Sequence, residues 1–110
     1  MDAIGIGTQN IVMGFKSARG LTNGSRNVYL GNKVGELNGF GSNNVAIGDS
    51  LMDVSSGSAS NNIVLGALSG RSFSTAQRNV LLGYRVGSGI TTGISNIVLG
   101  DSSMDGFSTV

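Results

Sequence analysis

The sequence contains no cysteine, histidine, proline or tryptophan. Without cysteine the chain can form neither disulfides nor thiolate metal sites. Without cysteine and histidine it also lacks two of the side chains that most often serve as nucleophile or general base. A serine nucleophile would have only lysine as its base, and a general-base lysine needs burial. These absences predict a protein that is not an enzyme and that uses no cofactor.

Charged side chains are also scarce. They make up 12% of the chain, and seven Lys plus Arg against six Asp plus Glu leave a net charge of +1. Basic residues this sparse do not make a nucleic-acid-binding surface. No apolar run approaches the length of about 18 residues that a membrane-spanning helix needs. We therefore expect no nucleic acid partner and no membrane insertion.

The chain is instead rich in glycine and repeats one hexapeptide. The stretch "RNVYLG" at 26–31 returns as "NNVAIG", "NNIVLG", "RNVLLG" and "SNIVLG". The glycines that close these stretches are evenly spaced, and the asparagine that opens each pentad "N-x-x-x-G" keeps the same spacing. These glycines are Gly14, Gly31, Gly48, Gly66, Gly83 and Gly100, in steps of 17 with a single step of 18 between Gly48 and Gly66. Such a constant step is typical of a stacked repeat array.

The repeat covers the whole chain, 1–110, as a single domain. A half turn at 1–9 precedes six turns, which are 10–26, 27–43, 44–61, 62–78, 79–95 and 96–110. The branched and aliphatic residues inside each pentad favour strands, and the frequent glycines exclude long helices. We therefore predict an all-β parallel β-solenoid of about six 17-residue turns. The extra residue between Gly48 and Gly66 is expected in the bend at 53–60.

Each pentad has two residue types with predicted structural roles. The closing glycine is predicted to turn the chain sharply, in a backbone conformation that residues with side chains disfavour. The opening asparagine is predicted to tolerate left-handed geometry and to form hydrogen bonds along its column.

The three residues between them form apolar columns along the array. Residues two apart in a strand share a face, so the columns that begin at Ile11 and Met13 are predicted to fill the inside of the coil. The column between them would then point outward, although a strand face in water is expected to be polar. We expect this outward stripe to be the contact surface of a homotrimer. Its residues are Val12, Tyr29, Ala46, Val64, Leu81 and Val98.

The pentads, followed by small residues and glycine, resemble the head repeats of trimeric autotransporter adhesins. They are still more similar to the 17-residue repeats of bacteriophage tail fibres and other virion appendages. The resemblance implies a left-handed parallel β-roll, with three chains side by side.

Two acid pairs repeat one spacing, Asp49 with Asp53 in "GDSLMD" and Asp101 with Asp105 in "GDSSMD". Paired carboxylates can bind a hard cation. The pairs are three turns apart, however, and neither has a third acid beside it, so no metal site is predicted.

Sequence variation between turns concentrates in the bends, where Arg19, Asp53 and Arg71 are candidates for surface recognition. The partners expected from the resemblance are further copies of the chain, other virion proteins, and a glycan or protein of a host surface. A stalk and a membrane anchor, which an adhesin chain requires, are not found in these 110 residues. This favours a virion structural protein, at the virion surface, as a tail fibre, spike or capsid decoration. The alternative is the head of a bacterial adhesin, at the cell surface.

Overall fold

The strands predicted from the pentads are present and stack in parallel. The computed structural model describes residues 7–37, 39, 41–53 and 57–110. These residues contain six strands, one for each pentad, and no helix. The strands are β1 (Ile11–Met13), β2 (Val28–Asn32), β3 (Val45–Asp49), β4 (Ile63–Ala67), β5 (Val80–Tyr84) and β6 (Ile97–Asp101). They form one sheet in chain order, so the chain is an all-β parallel β-solenoid of about five turns.

Strand pairing follows the repeat residue by residue. Val28 pairs with Val45, and Gly48 pairs with Gly66 across the longer step. The hydrogen bonds between turns locate the extra residue in the predicted bend. The N–H of Met52 donates to the carbonyl of Ser69, one residue further along the chain than the equivalent acceptor in other turns. The N–H of Ser58 donates to the carbonyl of Ser74, at the usual sequence separation, so the extra residue lies between Met52 and Ser58. The insertion is thus absorbed between strands, where it leaves the pentad register intact.

The closing glycines have the predicted glycine-favouring backbone conformation. In β2 to β6 each of them is the fourth of five strand residues, and the sharp turn predicted at the glycine stays a prediction. All of them have φ between 126° and 146°, in the region that favours glycine. Gly83 has φ 134°, and a Cβ built on it would overlap the carbonyl oxygen of Gly100 in the next turn. Glycine is therefore required at this position for two reasons: the backbone conformation disfavours a side chain, and the neighbouring turn approaches too closely to leave room for one.

The opening asparagines form the predicted hydrogen-bonded column. The Oδ1 of Asn44 accepts from the backbone N–H of Asn62 at 3.0 Å and from its Nδ2 at 3.1 Å. The same Nδ2 donates to the carbonyl of Ala76 at 2.9 Å. Both asparagines are fully buried. The left-handed geometry predicted for them is found one residue earlier, as at Asn43 with φ 60°.

The prediction of which pentad face points outward is wrong. The column predicted to be the trimer contact lies inside the coil, where most of its side chains are fully buried, Val98 is 6% exposed and Val12 is partly buried. This column is Val12, Tyr29, Ala46, Val64, Leu81 and Val98. The reason is strand alternation: the hydrogen-bonded column places Asn44 inside, and Ala46, two residues later, shares its face. The columns that begin at Ile11 and Met13 therefore face outward.

The interior is completed by side chains from the bends. Val34, Leu51 and Phe73 come from bends and are fully buried in the same cluster as the strand column. A large residue of the strand column is matched by a small residue of the bend in the same turn. A Cβ built on Gly35 would contact the ring of Tyr29, so the largest side chain of the strand column faces a residue that has none. Large and small residues on the two sides of the coil thus fit together, as close packing of a narrow interior requires.

Gly83→Val is expected to lower the free energy of unfolding by about 2–5 kcal/mol, because it combines backbone strain with overlap against the next turn. Chemical denaturation followed by circular dichroism measures the change. Gly106→Ala is the matched control, since a Cβ there has no neighbour within 4 Å. Equal stability of the Gly83→Val variant and the parent would contradict this requirement for glycine.

Leu81→Ala and Leu82→Ala test which strand face is inside. Leu81 is fully buried in the coil, so its truncation is expected to cost about 2–5 kcal/mol. Leu82 is on the outer face, so in dilute protein its truncation is expected to cost less than about 1 kcal/mol. Both variants are compared by denaturation at the lowest practical concentration. The opposite order of effects would restore the assignment of faces made from the sequence.

Candidate interaction surface

The outward side of the sheet carries two adjacent apolar columns, which we call the outer sheet face. The first consists of Ile11, Val28, Val45, Ile63, Val80 and Ile97. The second consists of Met13, Leu30, Ile47, Leu65, Leu82 and Leu99. The strand register aligns each column from β1 to β6 without interruption.

The outer sheet face remains exposed in the middle of the coil as well as at its ends. Ile47 and Ile63, in the central strands β3 and β4, are 41% and 42% exposed. Met13 and Ile97, in the end strands, are 70% and 77% exposed. Together these side chains leave on the order of several hundred Å² of apolar surface, comparable with the largest patch of about 300–600 Å² on a typical monomer. Because patches of this size are often functional, the outer sheet face is a candidate interaction surface.

Two columns of mixed character border the outer sheet face. The leading edge precedes the opening asparagines and consists of Gln9, Arg26, Asn43, Asn61, Arg78 and Ser95. The trailing edge follows the closing glycines and consists of Phe15, Asn32, Asp49, Ala67, Tyr84 and Asp101. At the rise of an extended strand, the stretch of chain between the two edges makes the surface about 20 Å wide.

The bend residues predicted for surface recognition belong to one column and are already paired. The Nε of Arg71 lies 3.1 Å from Asp53, and Arg19 lies 3.4 Å from Glu36 in the next turn. The side chain of Asp53 is only 9% exposed, so its predicted place on an exposed surface is wrong. The arginines remain partly accessible, and their role in recognition stays a prediction. Glu36 was not among the predicted residues, although it occupies the position equivalent to Arg19 one turn later, which indicates the contact.

The acids of the two repeated pairs contact different side chains. Asp53 binds Arg71, and Asp105 lies 2.6 Å from Arg85. Asp49 accepts a hydrogen bond from the Nδ2 of Asn32 at 2.6 Å. Among the described residues, no group of three or more acidic side chains could hold a metal ion. The same part of the chain has no helix that could cross a membrane.

Comparison of the chain with protein-family models, curated proteins and solved structures found no match.

Proposed function

We propose that this chain is a non-enzymatic structural module of a bacteriophage virion, which associates as a homotrimer through its outer sheet face. The module serves as part of a tail fibre, a spike or a capsid decoration. The observation that carries the proposal is the exposed apolar surface on a rigid repeat scaffold. The resemblance of the pentads to 17-residue virion repeats supports the virion context.

A second copy of the chain is the occupant that suits the outer sheet face best. Specific interfaces bury about 800 Å² on each partner, close to what this face and its edges can supply. At about 25 cal/mol per Å², covering the apolar part stabilises the assembly by roughly 10 kcal/mol or more before the cost of association. The surface also repeats at every turn, so a partner with the same spacing contacts it along its whole length.

Three copies around an axis parallel to the coil use this surface completely. Each copy then turns its outer sheet face toward the axis, and the three faces enclose a common apolar core. The leading edge of each copy meets the trailing edge of the next, which is the head-to-tail contact of a closed ring. The bends, including Arg19 and Arg71, stay on the outside, where a host glycan or protein and other virion proteins can reach them.

Light scattering after size-exclusion chromatography is expected to give the mass of three chains. Leu65→Asp, which places a charge in the centre of the outer sheet face, is expected to yield folded chains that do not associate. Thr75→Asp is the matched control, because Thr75 is exposed on a bend and the substitution adds the same charge. A parent protein that stays monomeric at micromolar concentration would refute the proposed assembly.

Mass spectrometry of purified phage particles, with antibody labelling in electron microscopy, tests the virion context. We expect the chain on the particle surface, in a copy number that is a multiple of three. Recovery from the outer membrane of a bacterium, and not from particles, would instead support the adhesin alternative.

A further inference from the structure

The charged groups that are not paired within the chain have a regular arrangement. Three ion pairs join Arg19 to Glu36, Arg71 to Asp53 and Arg85 to Asp105. Within the described residues, two acids have no basic partner, and both are exposed on the trailing edge. They are Asp49 and Asp101. The two arginines without an acidic partner in the same residues are both exposed on the leading edge, and they are Arg26 and Arg78.

The side chain of each of these arginines forms a hydrogen bond with the leading-edge residue of the next turn. The Nε of Arg26 donates to the Oδ1 of Asn43 at 2.7 Å. Asn43 is the leading-edge residue of β3, the strand that ends at Asp49. The guanidinium of Arg26 and the carboxylate of Asp49 are therefore at the same level of the coil, on opposite edges of the outer sheet face.

The second set has the same geometry three strands further along. The Nε of Arg78 donates to the Oγ of Ser95 at 3.2 Å, and Ser95 is the leading-edge residue of β6. That strand ends at Asp101. In both sets the acid follows its arginine at the same sequence separation, so the match between the edges occurs twice with one spacing.

Within one chain these charges cannot meet, because about 20 Å of outer sheet face separates the two edges. Where the leading edge of one copy meets the trailing edge of another, the charges become neighbours. They would then border an apolar interface, where opposite charges that pair favour the complex and like charges oppose it.

We propose that copies of this chain associate in parallel and without axial shift, held by two intersubunit ion pairs, Arg26 with Asp49 and Arg78 with Asp101. This inference rests on the proposed association through the outer sheet face. It specifies the orientation and the alignment of the partner.

The apolar columns cannot supply this alignment by themselves. Every turn presents nearly the same aliphatic pair, so a copy that slips by one turn loses only one turn of contact. A slip of one or two turns separates both arginines from both acids. A slip of three turns restores one ion pair and leaves half of the face uncovered. An antiparallel partner places the two leading edges together, which brings arginine toward arginine. The charges thus select one arrangement among several of similar apolar area.

The two lysines of the chain also lack an acidic partner among the described residues. Lys16 and Lys33 come one residue after the trailing edge, beyond Phe15 and Asn32 at the levels of β1 and β2. A partner that slips toward this end would bring Arg26 toward a lysine, and like charges oppose such a contact. The lysines therefore favour the same alignment as the proposed ion pairs.

Charge reversal in a double-mutant cycle tests the proposal. Arg26→Glu and Asp49→Arg are each expected to weaken association by about tenfold or more, because each creates a like-charge pair at every interface of the ring. The combined Arg26→Glu, Asp49→Arg variant is expected to return to within about threefold of the parent. Sedimentation equilibrium at low and high salt measures the association constants, and circular dichroism verifies folding.

The matched control is the Arg26→Glu, Asp101→Arg variant. It has the same net charge and the same types of substitution, but the two reversed residues do not face each other. It is expected to remain weak. If association recovers equally in both double variants, or in neither, the proposed ion pairs are overturned. If the parent is nevertheless trimeric, the proposed function stands. A monomeric parent would overturn both.

Cross-linking provides an independent measurement, because the natural chain has no cysteine. Ser95→Cys with Asp101→Cys places thiols at one level on opposite edges, too far apart to join within one chain. A short bis-maleimide is expected to link these chains up to a closed set of three. Ser95→Cys with Asp49→Cys separates the thiols by three strands and is expected to give no linked chains. Equal linking of the two variants would contradict an association without axial shift.

Discussion

Each residue of this coil must lie directly on its equivalent in the next turn, at the strand spacing of about 4.8 Å. The hydrogen bonds between successive turns enforce this constraint, above all those of the buried asparagine column, in which Asn62 binds both Asn44 and Ala76. Backbone groups continue the same pattern through the bends. An insertion is tolerated between Met52 and Ser58 because it leaves the asparagine and glycine columns aligned.

The asparagine column also decides the character of the surface. Because Asn44 points into the coil, strand alternation turns Ala46 inward and Val45 and Ile47 outward. Alternation allows only one of the three apolar columns to point inward, and side chains of the bends fill the interior from the other side. Two apolar columns are thus left outside. An apolar outer face is therefore a direct consequence of how the core is built.

In this repeat, different residues contribute to the stability of the coil and to its interaction with a partner. The inward column and the closing glycines have the same role in every turn, whereas the edges and the bends carry charges that differ between turns. The ion pairs of the bends, such as Arg71 with Asp53, close within the chain and stabilise neighbouring turns. The charges of the two edges have no such partner among the described residues. The proposed assembly uses this difference, since apolar columns supply area and edge charges supply alignment.

The period, the parallel strands, the backbone conformation of the closing glycines and the asparagine column were predictable from the sequence alone, because each depends on contacts between equivalent residues one turn apart. Even the contact between Arg19 and Glu36 could be found by aligning the turns. The direction of Tyr29, Leu81 and their column could not, since all three columns of the pentad are apolar and hydropathy does not distinguish them. Only the tertiary structure decided it, because the inward direction of the asparagine amides depends on acceptors such as the carbonyl of Ala76, which the bends place inside the coil.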